Sequence, residues 1–307
     1  MRPGITPTRD EFFELAARHP IVPVRREILG DLETPVGVYR KLGAPSDSFL
    51  LESVEHGERW GRFSFIGLEP FATLTARDGR LETTGALPEE VASAPDPVTA
   101  LERAVGAFTV PALEGLPPLH SGAVGYLGYD CVRYLERLPQ TAEPDLGLPE
   151  LWMTFTGVVV AFDHLRQRLQ VIANAVIGDD PAAAYDAASA QIDRVVERIA
   201  AAPPASGLEP PVLAETPLPA KSNRSAEDFE DAVRRAKEAI AAGEVFQVVP
   251  SQRFEEATDA DPLDVYRVLR LVNPSPYMFF LQAPGASIVG SSPEPMIRVR
   301  GLSLIHI

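Results

Sequence analysis

Two prolines one residue apart, in Asn273-Pro274-Ser275-Pro276-Tyr277-Met278-Phe279-Phe280, constrain this 307-residue chain more than any other segment. Each proline holds φ at about −65°, offers no N–H, and pushes the residue before it out of helical geometry. A helix running into Asn273 must stop there, and the aromatic run 277–281 reads as a strand. A turn held this way presents backbone N–H and C=O groups at a fixed angle, as a small zwitterion requires. A plain helix-to-strand connection would use the same residues.

The other breakers divide the chain into elements. Thr8 with Glu11 three residues on is a capping-box pattern, opening a helix with Phe12, Leu15 and Ala16 inward. Strands are expected over 21–24, 36–42, 49–54 and 71–76, with Asp78-Gly79 as a hairpin turn into 80–84. Asp96-Pro97 and Asp180-Pro181 read as N-cap and first-turn pairs for helices over 97–109 and 181–201. Between them 123–127, 152–162 and 169–177 read as strands, the last two forming a hairpin through 163–167. Prolines 203, 204, 210, 211, 217 and 219, with no apolar period around them, mark a connector over 202–220. Ser225 then caps a helix with Phe229, Val233, Ala236 and Ile240 on one face, stopped at Gly243. A strand is expected over 245–254, and Asp261-Pro262 starts a helix ending at Asn273. Helices and strands in no strict βαβ order predict an α+β fold of mixed or antiparallel sheets with packed helices. The expected division is a first domain over 1–201, the connector, a second domain beginning over 221–300, and a tail over 301–307.

Charge narrows the function classes. Lys and Arg number 28 against 43 Asp and Glu, a net charge of −15. Nucleic acids and anionic membranes are therefore not expected partners, since both call for clustered cations. The longest apolar runs, such as 158–162, are too short to span a bilayer. The first residues carry Arg2, Arg9, Asp10 and Glu11 without an apolar core, unlike a signal peptide. Cys131 is the only cysteine, so no intrachain disulfide forms. A cytoplasmic location is the expectation. His19, His56, His120, His164 and His306 are scattered without ligand spacing, which gives no basis for a zinc site. Gly122, Gly125 and Gly128 lack the Gly-Lys-Ser/Thr ending of a phosphate loop, and close backbone packing is the expected reason for them.

Two further segments carry chemistry. In Phe49-Leu50-Leu51-Glu52-Ser53-Val54 the strand period puts Leu51 and Ser53 on one face and Glu52 on the other. With Leu51 toward the core, the Ser53 hydroxyl stands at the wall of an apolar cavity. It needs a partner there, either a ligand or neighbouring backbone. Gln247, in Gly243-Glu244-Val245-Phe246-Gln247-Val248-Val249, is a neutral amide that cannot take a proton at a useful pH. It serves as an active-site wall or as a hydrogen-bonded residue within a sheet. Pro250 removes a ladder donor and suggests a bulge or an edge.

Together with Gly290-Ser291-Ser292-Pro293-Glu294, these motifs closely resemble anthranilate synthase component I, a family of chorismate-using enzymes. The resemblance runs from the first helix to about Arg300. It implies conversion of chorismate and ammonia to anthranilate and pyruvate with Mg²⁺, and a glutamine amidotransferase subunit as partner in a hetero-oligomer. It also implies feedback inhibition by L-tryptophan. By the same resemblance Ser53, Pro276, Tyr277 and Met278 line the tryptophan site, with Glu52 a weaker candidate. An aromatic ring and a thioether suit an indole. Relatives that add water to chorismate carry a lysine base at the position of Gln247, so the amide fits enzymes supplied with ammonia. The family's metal ligands, its catalytic His and Glu and its substrate-carboxylate contacts lie beyond residue 307 by this resemblance. The 307 residues alone are therefore expected to be a truncated, inactive portion with an unrelated tail. Two alternatives stand beside this reading. One is the p-aminobenzoate branch, aminodeoxychorismate synthase component I. The other is a non-catalytic tryptophan-binding module.

Overall fold

The computed structural model describes residues 4–43, 45–55, 59–140, 146–201, 208–209, 220–300 and 303–306. Its contacts divide the chain into two units, residues 1–207 with 262–307, and residues 208–261.

In the first unit, strand β1 (Ile5–Thr6) leads to helix α1 (Arg9–Ala16), β2 (Ile21–Leu29), α2 (Pro35–Lys41) and β3 (Ser48–Glu52). The short pair β4 (Val54–Glu55) and β5 (Arg59–Trp60) precedes β6 (Phe63–Leu68), β7 (Ala72–Arg77) and β8 (Arg80–Gly85). Helices α3 (Glu89–Ala92) and α4 (Pro97–Ala107) follow, then β9 (Ala123–Leu127) and a 3₁₀ turn at Tyr129–Tyr134. Next come β10 (Leu151–Phe155), β11 (Val158–Asp163), β12 (Arg168–Val176) and α5 (Pro181–Ala200). The second unit holds β13 (Lys221–Ser222), α6 (Ala226–Ala241) and β14 (Phe254–Glu255). The chain then returns to the first unit with α7 (Pro262–Val272), β15 (Tyr277–Ala283), β16 (Ala286–Ser292), β17 (Ile297–Arg300) and β18 (Ser303–His306).

Helix starts follow the expected chemistry. The Thr8 hydroxyl accepts from the Glu11 N–H, and the Glu11 carboxylate accepts from the Thr8 N–H at 2.8 Å, closing the capping box. Asp96 and Asp180 each accept two backbone N–H groups in the first turns of α4 and α5, with Pro97 and Pro181 behind them. Ser225 caps α6 in the same way.

The fold is α+β. An eight-stranded sheet runs β1-β2-β12-β11-β6-β3-β15-β16, every pair antiparallel, and a four-stranded antiparallel sheet runs β8-β7-β10-β9. Alternation gives each sheet two apolar faces. One face of the large sheet, with Val22, Leu50, Ile66, Val160, Val171 and Phe280, packs on Phe12, Val38, Ile192, Val195 and Tyr266 from the helices. Its other face, with Phe49 and Leu281, meets Trp152 of the small sheet. The small sheet's remaining face, with Leu74 and Met153, is covered by Val91, Ala100 and Ala104 of α3 and α4. Four layers result, helix–sheet–sheet–helix, and β3 and β15 lie side by side near one edge of the large sheet.

Several expectations need correction. Residues 36–42 form not a strand but α2, because Thr34 caps it, its hydroxyl accepting the Gly37 N–H at 3.1 Å, and Pro35 starts it. The expected strand 152–162 is two strands, β10 and β11, in different sheets. The break falls at Gly157, where a Cβ would stand 1.7 Å from the Glu69 carbonyl oxygen. Residues 245–253 are not a strand, and only Phe254 and Glu255 pair, with Lys221 and Ser222. Contacts also divide along another line than the expected 1–201 and 221–300, since β15 pairs with β3 inside the first unit. Nearly all of the expected connector over 202–220 lies outside the described residues, as do residues 301, 302 and 307 of the expected tail. Within that tail β18 pairs antiparallel with β17. Among the described residues, no helix is long and apolar enough to cross a membrane.

Candidate functional site

Two sequence-distant segments meet at the end of β3. β3 and β15 are paired, with Met278 opposite Glu52 and Phe280 opposite Leu50. Beyond Glu52 the chain leaves the strand at Ser53, and before Tyr277 it comes from the turn 273–276 at the end of α7. The structure thus brings Glu52, Ser53, Pro276, Tyr277 and Met278 into one neighbourhood. The turn is tied down by the Ser291 hydroxyl, which donates to the Asn273 carbonyl at 2.6 Å, and by Ser275, buried with its Oγ 3.5 Å from the Met278 sulfur.

The side chains differ in what they offer. Ser53 and Tyr277 are half-buried, as is Pro276. The Ser53 carbonyl accepts the Gly61 N–H at 2.6 Å. A Cβ on Gly61 would lie 2.7 Å from the Ser53 Oγ, so that glycine leaves the hydroxyl its room. Met278 is buried among the helix-facing residues with Phe280 and Leu50. Tyr277 and Met278 alternate along β15, so their side chains stand on opposite faces. An indole lying on one face meets one of these two side chains and the backbone of the other.

Glu52 is the polar centre of the neighbourhood. Its side chain is fully buried on the helix-covered face, where Arg270 of α7 approaches with Nε 2.9 Å from Oε2 and donates from a terminal nitrogen to Oε1 at 3.2 Å. The Tyr266 hydroxyl donates to Oε2 at 2.7 Å. Burial pushes the Glu52 carboxyl above the ordinary carboxylate range, opposed by the Arg270 charge and the Tyr266 hydrogen bond. Burial likewise raises the Tyr266 phenol, and the Glu52 carboxylate raises it further. Alternation places Glu52 opposite Leu51, as expected, while Ser53 lies just past the strand end; that the Glu52 face is closed by α7 was not expected. Tyr266 and Arg270 were missed altogether. Their only trace in sequence is i, i+4 spacing on a helix that ends at the Pro-Ser-Pro turn.

Gln247 belongs to the second unit. It is exposed in an irregular segment rather than alternating on a strand, and Phe246 and Val249 beside it are 90% and 80% exposed. Pro250 supplies no N–H, and among the described residues no strand pairs with 245–253, so the apolar run has nothing to hold it extended. Helix α6 in the same unit buries no residue completely. Among the glycines of 122–128, Gly125 does provide close packing, since a Cβ there would stand 1.9 Å from the Trp152 carbonyl oxygen.

A sequence model described as chorismate binding enzyme matches residues 47–306. The chain belongs to the chorismate-binding enzyme family. The match continues six residues past Arg300, which corrects the expectation that the family resemblance stops there. The anthranilate synthase component 1 of Mycolicibacterium smegmatis is 45% identical over 307 residues, covering 96% of this chain and 58% of that protein. That of Arthrobacter globiformis is 41% identical, covering 98% of this chain and 59% of the relative. Among solved structures, anthranilate synthase component I from Streptococcus pneumoniae TIGR4 aligns with a TM-score of 0.63 at 28% identity, over 78% of this chain and 52% of that one. This member of the family therefore spans somewhat under three-fifths of the length of these curated relatives. Among the described residues no three His, Cys, Asp or Glu side chains gather as a metal would require.

Proposed function

We propose that the chain is the tryptophan-regulated portion of an anthranilate synthase component I, the enzyme that turns chorismate and ammonia into anthranilate, pyruvate and water. The observation that carries this reading is the meeting of Ser53 with Pro276, Tyr277 and Met278 across the β3–β15 pair in a chain 45% identical to an anthranilate synthase component 1. Ser53 offers a hydroxyl, the turn offers backbone groups at a fixed angle, and Tyr277 offers an aromatic face to an indole. Gln247 contributes by what it lacks. A neutral amide does not deprotonate water, whereas ammonia is nucleophilic already. In this reading ammonia comes from glutamine through an amidotransferase subunit, and the assembly works in the cytoplasm. Mg²⁺, where the complete enzyme holds it, would draw charge from the substrate carboxylate and the departing hydroxyl. The groups that move protons and bind the metal belong to the part of the longer relatives that this chain does not span, so residues 1–307 alone turn nothing over.

The test joins residues 1–300 to the remaining portion of the M. smegmatis relative and supplies chorismate, Mg²⁺ and ammonium salt. Anthranilate fluorescence is expected from the fusion and none from residues 1–307 alone. A para-aminated product would assign the chain to the p-aminobenzoate branch, and isochorismate would refute the role given to Gln247. Anthranilate from residues 1–307 by themselves would show that the catalytic groups are already present in them.

A further inference from the structure

Glu52 does not face outward as a ligand contact would. Both its oxygens are taken, by Arg270 and Tyr266, and no part of its side chain reaches solvent. Tyr266 and Arg270 lie one helical turn apart, so α7 delivers both groups from a single face, with the guanidinium 6.0 Å from the phenol ring centroid. Arg270 stands two residues before the end of α7, and the Pro-Ser-Pro turn begins directly after that end. A closed circuit follows: α7, the turn, β15, its pairing to β3, Glu52, and back through the guanidinium to α7. Ser53 and Pro276 are the two corners of that circuit.

We infer that Arg270 and Tyr266 form a latch on Glu52 that fixes the spacing between Ser53 and the Pro-Ser-Pro turn, making all three positioning residues for the amino-acid site. The inference rests on the tryptophan reading above and names how that site is held in register. A planar guanidinium that donates to one carboxylate oxygen and lies 2.9 Å from the other fixes direction as well as distance, which a lysine ammonium does not. Preorganisation of this kind raises affinity because the ligand no longer spends binding energy on ordering the walls.

The test is calorimetric titration of the 307-residue chain with L-tryptophan, in variants whose cooperative melting is retained. Arg270→Met is expected to weaken binding about 5- to 150-fold, the range typical of energetic coupling between two communicating sites. Arg270→Lys should fall between wild type and Arg270→Met. The double variant Glu52→Gln with Arg270→Met removes both buried charges, so it keeps the fold even where the single variant does not. Its melting is expected to recover while tryptophan binding stays weak, a split that a purely structural role would not give. Tighter binding in Arg270→Met would mean that Glu52, once freed, takes the ligand's ammonium itself, and would overturn the latch. Unchanged binding in the double variant would overturn it as well. Failure of wild type to bind tryptophan would instead remove the ligand assignment, and the latch's role with it.

Discussion

Glu52→Ala is expected to lower the unfolding free energy of the chain by about 3–5 kcal/mol, the usual cost of removing one partner from a buried ion pair. The loss has two sources. Arg270, whose side chain is 19% exposed, loses the carboxylate now 2.9 Å from its Nε. The buried Tyr266 hydroxyl loses its acceptor, which alone costs about 1–3 kcal/mol. Urea unfolding followed by far-UV circular dichroism measures the sum. The pair also makes a statement about pH. Because the folded-state pKa of Glu52 is raised, its contribution is complete below the unfolded carboxylate pKa and is lost as pH rises through the folded value. The stability of wild type relative to Glu52→Gln should therefore fall as pH climbs from the ordinary carboxylate range. A loss under 1 kcal/mol in Glu52→Ala would mean that water reaches the carboxylate in solution.

Trp152→Ala is expected to cost a similar amount, about 3–5 kcal/mol, for a different reason. Trp152 is wholly buried between the two sheets, against Phe49, Leu281 and Ala283, and donates its indole N–H to Asp47 at 3.2 Å. The space the indole leaves adds a cavity cost to the lost transfer energy. Leu127→Ala, at a residue 46% exposed on the neighbouring strand, serves as the control and should stay within about 0.5 kcal/mol. Equal losses at the two positions would deny that the sheets pack face to face.

What the sequence revealed and what it hid follow from the range of the forces concerned. Caps act over three residues, so Thr8 with Glu11, Asp96, Asp180 and Ser225 announce their helices correctly. Thr34-Pro35 carries the same signal. Val36 and Val38 obscured it, because two β-branched residues two apart imitate a strand, while in α2 Val36, Val38 and Tyr39 are buried on a short helix. Across 152–162 only Gly157 hints at the change of sheet; β10 and β11 are both buried along their length, so neither shows an alternating pattern that would separate them. Residues 245–249 show the converse. β propensity without a partner strand leaves Phe246 and Val249 exposed. At the candidate site, motif matching brought Ser53 and 276–278 together across more than two hundred residues. The Glu52–Arg270 bond spans 218 residues, and no local pattern encodes such a pair.

The corner between β3 and the Pro-Ser-Pro turn is the proposed tryptophan site. Calorimetric titration of the 307-residue chain with L-tryptophan, beside Ser53→Phe, tests it most directly. Saturable binding of one tryptophan per chain is expected in wild type, and none in Ser53→Phe, whose ring crowds Gly61 and the ligand's side of the corner. A wild-type chain that melts cooperatively yet takes up no tryptophan, or a folded Ser53→Phe variant that binds it as wild type does, would contradict the account.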